Sequence, residues 1–281
     1  MDCLSFRRDL SFRAGAAKVR PTNGNIAVTP SRIAFTASSA PAAQGALAAL
    51  TRRHGQVPVD SAEVVVALGG DGFMLQTLHE TELMDVPVYG MNCGTIGFLM
   101  NGYAIEGLPE RLGAAEEAVI NPLSMHAVNR AGEHIHALAI NEVSILRAGP
   151  QAAKLQISVD GKVRLPELVC DGALVATPAG STAYNNSAHG PILPIGSEVL
   201  ALTAVAAFRP RRWRGAILPR RAVVRFDVLE HEKRPVMADA DSRSVEDVIS
   251  VEIRSEPSIR HRILFDPGHG LEERLIGEQF I

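Results

Sequence analysis

Cysteine is scarce in this sequence: the 281 residues hold three, Cys3, Cys93 and Cys170, far apart and with no Cys-x-x-Cys pair. That spacing suggests neither a disulfide framework nor a thiolate metal site, and it fits a reducing cytoplasm. Long apolar runs are missing as well. The longest, Val199 to Phe208, is interrupted by Thr203 and stops far short of the roughly 20 residues a membrane-crossing helix needs. Excess charge is absent too: 28 Lys and Arg stand against 31 Asp and Glu, a formal charge of -3. No nucleic-acid partner is implied by such a balance. Histidines do not supply a metal set either. His126, His134, His136 and His189 fall in or near the second half, and only His134 and His136 share a strand face, without an evident third ligand. Residues 1–30 carry Arg7, Arg8, Arg13, Lys18 and Arg20 but no continuous apolar core, so they make no secretory signal, and Asp2 and Asp9 count against a transit peptide. They read as a disordered extension.

What is present starts with Val64-Val65-Val66-Ala67-Leu68, followed at once by Gly69-Gly70-Asp71-Gly72 and then Phe73 to Leu78. An unbroken β-branched run reads as a strand buried on both faces, and the residues after the glycines have helical spacing. A strand, a tight turn and a helix make an anion site, because the helix N–H groups point outward and glycines let the backbone approach a phosphate. The Asp in that turn is the anomaly. It either caps the helix or does chemical work: holding a metal, accepting a proton or bonding a sugar hydroxyl.

Taken in order, Ile33 to Thr36 predicts a strand and Ala42 to Arg53 a helix, with Ser39 and Pro41 at its start and Gly55 beyond its end. Val86 to Gly90 is another short apolar strand, and the turn Asn92-Cys93-Gly94-Thr95-Ile96-Gly97-Phe98-Leu99 sits at its carboxyl end. In an open α/β sheet that is the ligand edge. The spacing predicts a helix from about Ile105 to Val119, ending at Asn121-Pro122. Beyond it hairpin grammar takes over. Ser124 to Asn129 and His134 to Ile140 flank Arg130 to Glu133, and Leu155 to Val159 and Lys162 to Leu165 flank Asp160-Gly161. Further strands are expected at 173–177, 199–206, 222–229, 248–253 and 261–265. The expected architecture is therefore an α/β N-terminal domain with a parallel, Rossmann-like sheet over 31–122, then a β-rich, sandwich-like domain over 123–266. Residues 267–281 have helical composition and are free to pack back on the first domain. The basic stretch Arg209 to Arg214 reads as a solvated or subunit-contact loop, with phosphate contact as the alternative.

A second functional stretch runs from Asp171-Gly172 through Thr177-Pro178-Ala179-Gly180-Ser181-Thr182-Ala183-Tyr184 to Ser187. A loop this dense in Gly, Ser and Thr is either plain surface or a site offering backbone groups and hydroxyls to a ligand. Upstream, Asn141-Glu142 is a pair able to bond a purine edge and a ribose diol, or simply surface.

Together, Gly69-Gly70-Asp71-Gly72, Gly90-Met91-Asn92 with Gly94, Gly97, Phe98 and Leu99, Asn141-Glu142 and the Asp171 to Tyr184 stretch resemble the NAD kinase family. The similarity runs from about residue 31 to 281. The glycine-Asp turn alone is shared with diacylglycerol-type lipid kinases; the combination with the Thr-Pro-x-Gly-Ser-Thr-Ala-Tyr loop is far more specific. The closing Leu264 to His269 with Leu271 to Arg274 is similar to the alphaproteobacterial branch. This resemblance implies transfer of the terminal phosphate of ATP, or alternatively polyphosphate, to the 2′-hydroxyl of the adenosine ribose of NAD. It implies Asp71 as the catalytic base, Gly69, Gly70 and Gly72 at the donor phosphates, and Mg²⁺ or another divalent cation with ligands unassigned. The implied NAD pocket is Asp71, Gly72, Phe98, Asn141, Glu142, Asp171, Thr182, Ala183, Tyr184 and Ser187. A homodimer or homotetramer in the cytoplasm is implied as well. Ser242, after Asp239-Ala240-Asp241, stands where many relatives carry His. Two other readings compete: a lipid or sphingoid-base kinase, which would want an apolar acceptor pocket, and a nucleotide sensor without catalysis.

Overall fold

The structure, a computed structural model, describes residues 29–94, 97–211 and 213–278. The extension expected over 1–30 lies outside them except for Thr29 and Pro30. No helix of the described residues is long and apolar enough to cross a membrane.

The first part is β1 (Ile33–Ala37), α1 (Pro41–His54), β2 (Val64–Gly69), α2 (Asp71–Glu80), β3 (Val88–Asn92), β4 (Asn101–Gly102), α3 (Leu108–Ala114) and β5 (Glu116–Ile120). Each of the six positions of β2 is buried, as a central parallel strand covered on both faces requires. On α1, Ala43, Ala46 and Leu50 face inward, Pro41 opens the first turn, and Gly55 closes the helix at φ 80, where a side chain would be strained.

The expected single helix over 105–119 is instead α3 followed by β5. Leu108 and Leu112 bury one short helical face, and Ala115 then turns extended at ψ 143. Glu116 to Ile120 finds antiparallel partners in residues 261–265, and that long-range pairing overrides the local helical composition.

Twelve strands then alternate with turns: β6 (Leu123–Asn129), β7 (His134–Ala139), β8 (Glu142–Arg147), β9 (Ala153–Val159), β10 (Lys162–Cys170), β11 (Gly172–Ala176), β12 (Val199–Val205), β13 (Gly215–Pro219), β14 (Val224–Val228), β15 (Val236–Ala240), β16 (Arg243–Val245) and β17 (Val248–Ser255). A short helix, α4 (Tyr184–Ser187), lies between β11 and β12. Asp160 and Gly161 both take positive φ, 51 and 73, the two-residue turn that their sequence predicts. These strands make two antiparallel sheets, in the orders β10-β9-β14-β17-β6-β7 and β13-β12-β11-β8-β15-β16. Their inner faces share one core, in which Met125, Ile157, Phe226 and Val251 of the one sheet meet Val143, Ile145, Val175 and Ala238 of the other. The sandwich expected for this half is thus formed.

The chain ends with β18 (His261–Phe265) and α5 (Leu271–Glu278). The sequence reading put residues 261–265 with the β-rich half; the strand instead completes the first sheet, whose order is β1-β2-β3-β18-β5 with β4 beside β3. Its composition explains the choice, because Ile263, Leu264 and Phe265 are all fully buried and a two-faced apolar strand has no place on a half-solvated sheet. The closing helix packs back on the same sheet through Leu271, which joins Val65, Ala67 and Phe265.

Asn101 stitches this return together. Its amide donates to the carbonyls of Gly90 at 3.1 Å and Leu264 at 3.0 Å, and its oxygen accepts the Asp266 N–H at 2.9 Å. With the side chain 1% exposed, no water can replace it. Asn101→Ala should therefore lower the unfolding free energy by about 2–4 kcal/mol, read from urea denaturation; a loss below about 0.5 kcal/mol would show that the three groups find other partners.

Candidate active site

The glycine turn joins β2 to α2 at the carboxyl edge of the parallel sheet. Gly70 is the N-cap and offers no side chain to the helix. Asp71 does not cap its own helix either. Its carboxylate reaches across to the next turn, where Oδ2 accepts the Phe98 N–H at 2.6 Å and Oδ1 the Leu99 N–H at 2.8 Å. A side chain at Gly97 would collide with that carboxylate, so glycine there is what lets the two turns touch. From the opposite side, Arg274 of α5 donates to the carbonyls of Gly97 at 3.1 Å and Phe98 at 3.2 Å. Burial lowers the Arg274 pKa, and Asp71 and Asp266 oppose that shift by their charge. Around Gly70 and Gly72 an added Cβ would meet nothing, so the turn is open on its outer side.

A second cluster forms where β8 begins. The Thr177 N–H donates to the Asn141 carbonyl at 2.9 Å, and its hydroxyl donates to the Ile140 carbonyl at 2.8 Å while accepting the Gly180 N–H at 3.0 Å. Gly180 lies directly on the Asn141 backbone, and any Cβ there would collide with it. The loop that follows is held by Asn185, which donates to the Ser181 and Pro191 carbonyls at 3.0 and 2.9 Å and accepts the Thr203 hydroxyl at 2.6 Å.

Glu142 is the chemically exposed point of this arrangement. Its carboxylate accepts the Tyr184 N–H, yet Oε2 is buried without any partner. Burial pushes its pKa up to about 7, the nearby charge of Asp241 adds to the rise, and the Tyr184 N–H opposes it. The Tyr184 phenol is raised in turn, first by burial and then by the charges of Glu142, Asp171 and Asp239. Those three carboxylates therefore share one neighbourhood with the ring.

Of the residues singled out in the sequence, the fold groups Asp71 and Phe98 around the glycine turn and Asn141, Glu142, Asp171 and Tyr184 around the start and flank of β8. Thr182 and Ala183 are half-buried on the same loop, and Ser187 is exposed. Asp171 is already engaged by Arg147 at 2.6 Å, a partner the sequence did not suggest. Arg274, Asp241 and His79 were given no individual role by the sequence reading; for Asp241 the signal was the alternation Val236-Met237-Ala238-Asp239-Ala240 running straight into it. The histidines also regroup. His126 joins His134, with ring nitrogens 3.0 Å apart, and stacks on His136 with centroids 4.3 Å apart. Among the described residues, no three His, Cys, Asp or Glu side chains are arranged to hold a metal.

Gly180→Ala should be among the most damaging single-methyl changes in the chain. The Asn141 backbone cannot move without breaking its bonds to Thr177, so the cost expected is on the order of 1–3 kcal/mol, measured as a shift in melting temperature. An unchanged melting temperature would mean that the loop slides off β8 freely.

Comparisons with known proteins place the chain in a family. Residues 23–114 match the ATP-NAD kinase N-terminal domain and residues 140–258 the ATP-NAD kinase C-terminal domain. A Cereibacter sphaeroides protein named NAD kinase is 74% identical over 254 residues, covering 90% of this chain and 100% of that protein. Another, from Caulobacter vibrioides, is 58% identical over 249 residues, covering 89% of this chain and 96% of its own. Among solved structures, yeast NADH kinase complexed with NADH superposes with a TM-score of 0.76 at 20% identity, covering 89% of this chain and 87% of that one. An Archaeoglobus fulgidus NAD kinase in complex with ATP gives 0.70 at 23% identity, covering 88% and 98%. The two structural matches establish the fold. Identity of 74% over 90% of the chain goes well beyond a shared fold: the chain belongs to the NAD kinase family.

Proposed function

We propose that Glu142 holds the adenosine ribose of NAD and that Asp71 accepts the proton from its 2′-hydroxyl as the terminal phosphate of ATP arrives. The observation that carries this reading is the buried, partnerless Oε2 of Glu142. A carboxylate oxygen left without a donor in the fold is an acceptor awaiting one, and a ribose hydroxyl is the right donor. In the transfer the 2′-O–H bond breaks and its proton passes to Asp71. The 2′-O–P bond forms as the bond from the γ-phosphorus to the β-phosphate oxygen breaks, releasing ADP.

Phosphoryl transfer asks for positioning and charge neutralisation more than for covalent help. Gly70 and Gly72 suit the donor phosphates because the turn is open outward at both; Gly69, assigned to the same phosphates, is buried at the end of β2 with Phe73 against it and would take part through its backbone alone. Mg²⁺ or another divalent cation belongs to the same reading: Mg²⁺ is held by phosphate oxygens and water with one or two carboxylates rather than by a protein cage, and Asp71 adjoins the phosphate turn. The cation's charge would neutralise the donor phosphates. Asn141, Asp171, Thr182, Ala183, Tyr184, Ser187 and Phe98 complete the NAD pocket in this reading, with polyphosphate as the alternative donor. The carboxylates around Tyr184 speak against a lipid acceptor. Exposed Phe208 and Ile217, 56% and 58% accessible, the latter on the edge strand β13, support self-association as a dimer or tetramer. The three scattered cysteines support a cytoplasmic site of action. The division near Pro122 into donor and acceptor halves is part of the reading, with β18 assigned to the donor half.

The direct assay is purified protein with NAD, Mg²⁺ and either ATP or polyphosphate, followed by NADP formation. Within it, Glu142→Ala should raise the KM for NAD about ten- to a hundredfold, the worth of a charged hydrogen bond, and leave the KM for ATP unchanged. Parental values for both would place the ribose elsewhere.

Glu142 also sets a pH dependence. Lifted from 4.5 to about 7 in the fold, it keeps a proton that the unfolded chain has released. Its stabilising contribution is complete below pH 4.5 and is lost as pH climbs through about 7. Ribose hydroxyls favour the ionised form, so the KM for NAD should fall as pH rises through the same range. Glu142→Gln should flatten both profiles; profiles that kept their slope would assign the titration to another group.

Asp71→Asn should reduce kcat by on the order of 10²–10⁴. The amide also turns one acceptor of the Phe98 and Leu99 N–H groups into a donor, so circular dichroism must confirm the fold beside the rate. A folded variant with near-parental turnover would remove Asp71 from the base role.

A further inference from the structure

The Asp241 carboxylate is engaged through both of its oxygens. Oδ2 accepts the Ile140 N–H at 2.7 Å and Oδ1 the Asn141 N–H at 3.0 Å, while its own N–H donates to the Glu142 carbonyl at 3.4 Å. Its side chain is 3% exposed. All three bonds converge on the residues that start β8. The remaining partner comes from elsewhere: Nε2 of His79, in the last turn of α2, lies 2.8 Å from Oδ2. A carboxylate only accepts, so Nε2 carries the proton.

The His79 ring is itself boxed in. It meets His261 edge-on with centroids 6.1 Å apart, and Nδ1 lies 3.8 Å from Glu82. His261 opens β18, and its hydrogen bond to the Leu78 backbone ties it to the same turn of α2. Burial drives its pKa down to about 4, with His79 adding to the fall, so it stays neutral beside His79. Three separate segments of chain therefore meet at one hydrogen bond.

We propose that His79 is a positioning residue: through Asp241 it fixes the start of β8, with Asn141 and Glu142, relative to α2, whose first residue is Asp71. The helix that begins with the base ends with the group that orients the acceptor's binding strand. This rests on the assignment of Glu142 to the acceptor ribose. Removing the bond leaves a buried carboxylate short of a donor and frees the strand to shift, and a misplacement of about 1 Å costs on the order of a hundredfold in rate.

The test compares His79→Leu, His79→Gln and Glu142→Ala by steady-state kinetics with NAD and ATP varied separately. The Leu variant should lose about ten- to a hundredfold in kcat/KM for NAD with the KM for ATP unchanged. The Gln variant carries an amide N–H close to where Nε2 sits and should recover most of that loss. A Glu142→Ala variant with parental kinetics would sink the ribose assignment itself. If Glu142→Ala acts while folded His79→Leu keeps parental kinetics, or if Gln and Leu lose equally, the positioning role is overturned and the pair is structural only. Should the Leu variant not fold, a cycle of His79→Gln, Asp241→Asn and the double variant decides: non-additive effects on kcat/KM for NAD support the coupling, and additive effects overturn it.

Discussion

The site depends on how the backbone of residues 140–142 satisfies its hydrogen bonds where β7 gives way to β8 and the chain passes from one sheet to the other. At that crossing neither ladder is available to all of its groups, and a buried N–H or C=O left bare costs about 1–3 kcal/mol. Asp241 takes two N–H groups, and Thr177 takes two carbonyls. Gly180 is required because the loop that carries Thr177 must then lie flat on Asn141. The backbone at this crossing is thus held while Oε2 of Glu142 has no partner. A crossing built this tightly leaves one acceptor over, and holds it still.

Asp71 meets a similar double demand. A carboxylate that accepts two backbone N–H groups fixes the loop of residues 97–99, and the same bonds fix the carboxylate. Each oxygen keeps a second lone pair, so structural use does not exhaust its chemistry. The arrangement removes the rotational freedom a base would otherwise lose during the reaction, which is how preorganisation lowers a barrier. Arg274, arriving from the far end of the chain, holds the other side of that loop through its carbonyls.

The legible parts of the sequence were those where local chemistry and long-range packing agree. Val64 to Gly72 announced a two-faced strand and a turn into a helix, and Asp160-Gly161 announced its hairpin. Where the two disagree, reading failed. Glu116 to Ile120 has helical composition and becomes a strand because β18 presents a free edge. Residues 261–265 look like one more strand of the β-rich half, and only their double-sided burial sends them to the first sheet. His79 and Asp241 are separated by 162 residues, and no periodicity links a helix terminus to a hairpin turn so distant.

That long separation has a consequence for how the molecule is assembled. The first sheet lacks β18, which pairs parallel with β3, until residue 265 has been made, so the half that carries the glycine turn is completed only by a segment that follows the sandwich. Loop-closure entropy grows only slowly with length, so the arrangement costs little in stability. It does leave the first half incomplete until the sandwich has been made, because without residues 261–266 Asn101 loses two of its three partners and β5 loses its strand pairing. The sandwich is inserted between β5 and β18 of the first sheet, and its crossing points are residues 121–122 and 256–260. Glu142 and Asp241 stand next to the side of the sandwich that faces this insertion point, and His79 and His261 face it from the first sheet. In the proposed reading, a substrate that meets Asp71 on one half and Glu142 on the other lies across the junction where the sandwich is inserted into the first sheet.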